Sequence, residues 1–322
     1  MNEEFRDRIE IIESAPDRKV KQVTHRNLES YLNTFNLPDA QLAQGGTVVD
    51  VGAGFSSFSE EARGKYEGLR AIAVDPVYKL LKDKPNITPL QFETEERVTL
   101  DFQPIYRGGE NISDLDQYQK EQAEFFNHFV NEQQTHPDDY IDASHQDIPL
   151  ETGSADLVLA SNSIIRSKNK PEVIQNALGE CFRILKDHGE IRIAGSLACF
   201  ICNDTTGSLE LWYNGTLVPN GPWVKEFKQT GHYSDPELMK VFAFLEGLGA
   251  KFYGIFLSGK NQYGNSSTRF DTLIIRTDEN TPVVAERHDP KEVQVELRKL
   301  EFQANDGFNI PTTIVKPTVA KK

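Results

Sequence analysis

The stretch TVVDVGAGFS, Thr47 to Ser56, is a short apolar run that ends in an aspartate and opens into two glycines one residue apart. Val48 and Val49 read as the end of a buried strand, and Asp50, Gly52 and Gly54 fall where such a strand turns into a helix. Glycine has no Cβ, so the backbone there reaches positive φ and lets a ligand lie against it. A helix from about Ser56 presents unpaired N–H groups and the positive end of its dipole. Such a turn binds nucleotides, although GxG also serves as a plain tight turn.

The next apolar run, Ala71-Ile72-Ala73-Val74, is closed by Asp75. That aspartate falls about 20 residues past the glycines, where a βαβ nucleotide fold places the acid that grips ribose hydroxyls. The spacing does not separate a dinucleotide from S-adenosylmethionine. A dinucleotide fingerprint carries a third glycine at its sixth position, and Ser57 stands there.

With these residues on the page, the chain resembles the class I S-adenosylmethionine-dependent methyltransferases. Their first motif is an apolar strand, an acidic residue and a GxGxG turn; VVDVGAGFS matches it, with Ser56 in place of the last glycine. HQDIPLETGSADLVLASNSI, His145 to Ile164, is similar to the family's adenine-contacting loop and fourth strand. ECFRILKDHGEIRIAG, Glu180 to Gly195, is similar to its next helix, turn and fifth strand. The resemblance runs from Gly46 to Gly195, with a plausible strand pair at the end of the fold, and is broken by a long insertion between the second and third strands. It implies an α/β fold: a Rossmann-like, doubly wound, seven-stranded sheet with an antiparallel last strand, a helical insertion and a C-terminal extension.

The same resemblance implies S-adenosyl-L-methionine as the cofactor, bound by Asp50, Gly52, Ala53, Gly54, Asp75, Gln146, Asp147, Ile148 and Ser161. Asp50 would hold the turn and reach the methionine end, Asp75 the ribose and Asp147 the adenine amino group, with Ile148 stacked on the ring. The acceptor side carries no diagnostic set. SNSII follows the fourth strand, in place of an NPPY-like run, a catalytic cysteine or a histidine pair. No catalytic residue can be carried over. Asn162, Trp212, Tyr213 and His232 are the candidate substrate contacts, and a small-molecule acceptor is the expected partner. The rival reading is a methyltransferase-like domain that has lost catalysis and binds a protein partner; a nucleotide-dependent dehydrogenase is a weaker one.

The chain has 322 residues with 38% hydrophobic content, enough for one large α/β domain with additions. Its 35 basic and 49 acidic residues give a net charge of −14, which argues against general nucleic-acid binding. Cys181, Cys199 and Cys202 are too few for a disulfide framework and suit a reducing compartment, the cytoplasm by default. The lone CxxC of Cys199 and Cys202 reads as two buried thiols, and no metal set accompanies it. The start MNEEFRDRIE has no apolar core for a secretory signal, and no apolar run is long enough to span a membrane. Nothing in the sequence bears on oligomeric state.

Along the chain, residues 1–45 read as a helical leader, with apolar spacing from Lys19 to Phe35. Residues 46–277 form the main domain, interrupted at about 77–137 by the insertion. Inside it Phe125, Phe126, Phe129 and Val130 recur at helical spacing, either as packing against the domain or as a lid over the site. Further elements are strands near Tyr140 to Ala143 and Ala155 to Ala160, a helix over Pro171 to Lys186, and a helix from Asp235 to Gly247. Leu197 to Tyr233 reads as irregular loop. Lys251 to Leu257 and Phe270 to Ile275 read as an antiparallel pair. In the extension, 278–322, Lys291 to Phe302 reads as a charged helix, with a mobile end.

Overall fold

Seven strands carry the site: β1 (Gly46–Val51), β2 (Leu69–Val74), β3 (Tyr140–Ile141), β4 (Ala155–Ser161), β5 (Leu185–Ala194), β6 (Lys251–Lys260) and β7 (Ser266–Arg276). They pair in the order β3-β2-β1-β4-β5-β7-β6. The contacts from β3 through β5 are parallel, while β7 runs antiparallel to both of its neighbours. This is a doubly wound sheet with its order reversing between β1 and β4, the place where open α/β sheets bind ligands. The computed structural model describes residues 19–24, 26–78, 98–103, 124, 127–161, 163–164, 171–194, 198–202, 209–213, 216–217, 232–233, 236–260, 266–279, 283–286, 294–300, 302–303 and 307–309.

The helices are α1 (Leu28–Phe35), α2 (Asp39–Leu42), α3 (Phe58–Lys65), α4 (127–135), α5 (Pro171–Ile184) and α6 (Pro236–Gly247). Because strand side chains alternate between faces, the near-continuous apolar runs of β1, β2 and β4 feed two cores at once. Val49, Val51, Val158, Ile191 and Ile193 pack with α5 and α6. Val48, Leu157 and Leu159 pack on the other face with Leu28, Tyr31, Leu32 and Phe35 of α1 and with α3. The Asn27 side chain caps α1 by accepting from the Ser30 N–H at 2.9 Å.

Three expectations change. Lys19–Thr24 is a strand, paired in parallel with Val98–Gln103, and α1 begins only at Leu28. KVKQVT contains two valines and a threonine, β-branched residues that favour extended backbone once a partner completes the ladder. Gln294–Leu300 is likewise a strand, antiparallel to β6, with Val295 opposite Leu257 and Leu297 opposite Ile255. Its backbone covers a sheet edge that would otherwise stand open. Leu197 to Tyr233 is not all loop: Ala198–Cys202, Leu209–Tyr213 and Thr216–Leu217 extend the sheet beyond β7, giving 11 strands among the described residues.

Of the insertion's aromatic stripe, Phe125 and Phe126 lie outside the described residues. Phe129, on α4, is buried against Phe55, Tyr78 and Tyr140, with ring centroids 5.1, 5.9 and 5.3 Å away. Arg63 of α3 ties the same helix down through Glu132 at 3.2 Å and the following turn through Asp139 at 2.7 Å. For Phe129 the packing reading holds.

Candidate functional site

At the carboxyl end of β1 the chain turns at Gly52, with φ 72°, and again at Gly54, with φ 59°. A Cβ on Gly52 would stand 2.3 Å from the Ser163 Cβ, so glycine is required by backbone and packing together. The Gly52 N–H donates to Val74 O at 2.8 Å, fastening the turn to β2. The motif's third glycine is absent for a visible reason. Ser56 has no positive φ, and its hydroxyl donates to Arg26 O at 2.9 Å while accepting from the Phe58 N–H at 3.0 Å. The serine thus satisfies the first N–H of α3 and fastens the leader to the turn.

Asp75 ends β2 beside this turn. One carboxylate oxygen accepts from the Gly54 N–H at 3.0 Å and the other from the Val77 N–H at 2.8 Å. A carboxylate oxygen can accept from more than one donor, so these backbone bonds are compatible with a ligand hydroxyl at the same group. The Tyr78 hydroxyl donates to Gly54 O at 2.8 Å, so the residues after β2 brace the glycines from the other side.

Asp50 is 1% exposed, on the α1 face of β1. Its Oδ2 accepts from the Tyr31 hydroxyl at 2.5 Å, and its Oδ1 meets no partner among the described residues. Ser161, at the end of β4, is also buried, and its hydroxyl has no partner among the described residues. Asp50 is in register with Leu159, so Ser161 lies one pleat further along the same face of the neighbouring strand. Burial, and to a lesser degree the charge of Asp75, push the Asp50 carboxyl up to about 7 against the opposing pull of the Tyr31 hydrogen bond and Arg26. Burial, reinforced by Asp50, holds the Tyr31 phenol well above its usual range.

Tyr31 was legible only as one apolar position of a helical stripe. The signal available was its hydroxyl, which a buried tyrosine must satisfy. Tyr31 stacks on Phe58 at 4.4 Å between centroids, which sets the hydroxyl's height over β1.

The structure brings Asp50, Gly52, Ala53, Gly54, Asp75 and Ser161 to one edge of the sheet. Gln146 and Asp147 are exposed on the loop that follows β3, where Ser144 accepts from both backbone N–H groups. Ile148 departs from its expected role. Its side chain is 1% exposed within the core on the α5 face, and its N–H donates to Glu180 Oε2 at 3.2 Å, so no face of it is presented for ring stacking. Trp212 and Tyr213 have their backbones in the added strand Leu209–Tyr213, paired with Cys199 and Ala198. His232 is carried elsewhere, in a three-stranded sheet opposite Asn309. Asn162 lies outside the described residues. His188 lies inside β5, where the pairing with β4 jumps from Leu185 to Glu190; it adopts φ 69°, and its ring is 2.8 Å from Asp278.

Residues 98–193 match the family model described as a methyltransferase domain. The match begins at Val98, downstream of the glycine turn, which is therefore read from its geometry. No curated protein matches the chain. Among solved structures, the chain is similar to a candidate S-adenosyl-L-methionine-dependent methyltransferase of Methanococcus maripaludis, at 15% identity over 78% of this chain and 88% of that one, with a TM-score of 0.34. A Thermotoga maritima SAM-dependent methyltransferase gives 13% identity over 78% and 90% at 0.32. Human N-acetylserotonin methyltransferase, in complex with SAM, gives 14% over 76% and 51% at 0.32. At these identities and scores the likenesses decide nothing about fold or substrate. The fold rests on the strand order given above.

Proposed function

We propose that this chain, which carries an S-adenosylmethionine-dependent methyltransferase domain, moves the cofactor's methyl group to a small-molecule acceptor. The observation that supports the reading most is a pair of buried polar atoms, Asp50 Oδ1 and Ser161 Oγ, unpartnered among the described residues and set on adjacent parallel strands beside the glycine turn. Native cores seldom leave such atoms unpaired, and a ligand with donors and acceptors would complete them. The methionine end of the cofactor has both. Asp50 would take its ammonium group, Gly52, Ala53 and Gly54 would admit it to the backbone, and Asp75 would accept from the ribose hydroxyls. Gln146 and Asp147 would meet the adenine, without Ile148.

The bound cofactor supplies an activated sulfonium methyl, so the protein's task is alignment and exclusion of water. The acceptor would approach past the end of β4, at Asn162, with Trp212 and Tyr213 on the added strands and His232 in the small sheet as wall candidates. The leader 1–45 and extension 278–322 would belong with the domain 46–277 and its insertion at about 77–137, a reading supported by α1 reaching Asp50 and by the tail strand pairing with β6. Net charge of −14 speaks against a general nucleic-acid partner, and the sparse cysteines favour the cytoplasm. No helix among the described residues is long and apolar enough to cross a membrane. The non-catalytic alternative draws on the lack of an acceptor-side motif and on the missing third glycine; the anchoring bond of Ser56 accounts for the second.

Calorimetry with S-adenosylhomocysteine and with NAD tests the reading. Micromolar binding of the former and none of the latter is the expected result. NAD binding without any response to the adenosyl compound would overturn it. Mass analysis of ligand carried through purification would then identify the acceptor.

A further inference from the structure

The buried carboxyl of Asp50 is held at one oxygen and, among the described residues, open at the other. The described groups that face it can be named. From α1 comes the Tyr31 hydroxyl, donating to Oδ2; from the segment before α1, the Arg26 guanidinium, which favours the charged form. From the turn after β2 come Asp75, which disfavours it, and the phenol of Tyr78, which senses the same charge. The glycine turn contributes Ser56, whose hydroxyl lies beside Tyr31 and donates to Arg26 O, and β4 the uncharged Ser161. Among these groups one full positive charge stands against two carboxyls in a dry setting, so the carboxylate form is poorly supported until another cation arrives.

We propose that Tyr31 is a positioning residue that aims Asp50 at the ammonium group of the cofactor's methionine end, and that cofactor uptake expels a proton from Asp50. The inference rests on the methyltransferase reading. Before binding, Asp50 near neutral pH exists in good part as the acid, its proton on Oδ1 while Oδ2 accepts from Tyr31. When the ammonium group takes that place, the O–H bond of the acid breaks and the proton passes to solvent; the electron pair stays on Oδ1. Tyr31 keeps its own proton throughout, since its phenol is pushed far from the working range. Its part is to fix the carboxyl plane through one short hydrogen bond. The leader helix, which carries no cofactor motif, thereby enters the site.

The experiment is titration calorimetry of the full chain with S-adenosylhomocysteine, from about pH 5.5 to about pH 7.5, in pairs of buffers with different ionisation enthalpies. Expected are net proton release at the lower pH values, fading above about pH 7, and affinity that rises over the same window by about tenfold per pH unit well below it. Tyr31→Phe removes a hydrogen bond to the charged form, so the midpoint of that rise moves to higher pH; a packing role for Tyr31 alone would weaken binding evenly and leave the midpoint in place. Equal heats in both buffers with a flat affinity would overturn the proposal while leaving the cofactor assignment standing. Absence of binding at every pH would overturn both. The wild-type measurement stands by itself should Tyr31→Phe fold poorly.

Discussion

Asp50 and Arg192 sit in one row of the sheet, on the same face, with only Leu159 between them. At a strand spacing of about 4.8 Å their backbones are roughly 10 Å apart. Both are buried and ionisable, yet their surroundings differ in kind. Arg192 has all five N–H groups matched: Glu190 at 2.5 Å, the carbonyls of Phe35 and Asn36 at 2.9 and 2.7 Å, Gln41 at 3.1 Å and Val284 O at 2.6 Å. These partners come from the C-terminal end of α1, from α2 and from the segment before the tail strand. Arg192 therefore fastens the leader and the extension to β5. Asp50 has one hydrogen-bond partner and one open oxygen among the described residues, and the turn beside it is shaped by glycine. Buried charge that is fully satisfied marks structure, and buried charge left half satisfied marks a place for a ligand.

The comparison breaks first at Arg192. Arg192→Met should cost roughly 3–5 kcal/mol in urea unfolding, because Glu190 is left as a buried, unpaired charge and the carbonyls of Phe35 and Val284 lose a donor, while Asn36 O keeps the Glu286 N–H. A loss below about 1 kcal/mol would show that the network is decorative.

Asp50→Asn should do the opposite to stability while weakening cofactor binding. The folded carboxyl sits at about 7 against an ordinary value of 3.8, so the folded state binds its proton more tightly than the unfolded chain does. Stability from this group is therefore greatest in acid and is lost as pH rises from about 4 to about 7. The amide avoids that loss. The Asp50→Asn protein should be more stable than wild type by roughly 2–4 kcal/mol at about pH 8, with a smaller margin at about pH 5, read from melting curves without cofactor. S-adenosylhomocysteine binding should weaken about 100-fold. A destabilised amide variant at high pH would place Asp50 on the structural side with Arg192.

Asp75→Ala is intermediate. It should weaken cofactor binding by roughly 2–3 kcal/mol in calorimetry and lower stability by about 1 kcal/mol, since two backbone N–H groups near solvent lose their acceptor. Unchanged affinity in a folded variant would remove Asp75 from the ribose site. Ser161→Ala is the smallest effect and the sharpest contrast with Arg192. Deleting a buried hydroxyl that meets no partner among the described residues should leave stability within about 0.5 kcal/mol while reducing cofactor affinity by about 1 kcal/mol.

What the sequence determined by itself is everything set by neighbours along the chain. The apolar run into Asp50, the glycines whose φ must be positive, Asp75 at the end of β2 and the alternation through β4 and β5 are local patterns, and local patterns survive in a string of letters. The antiparallel end of the sheet was legible for the same reason. Tertiary structure decided what depends on residues far apart. Tyr31 meets Asp50 across 19 positions, and Arg192 meets Phe35 O across 157. Such pairs leave no spacing to read. Ile148 went to the core because its loop folds under α5, which no single residue announces. Lys19–Thr24 and Gln294–Leu300 became strands because each found a partner, one the distant Val98–Gln103 and the other the edge of β6, and β structure is decided by the partner as much as by the sequence that joins it.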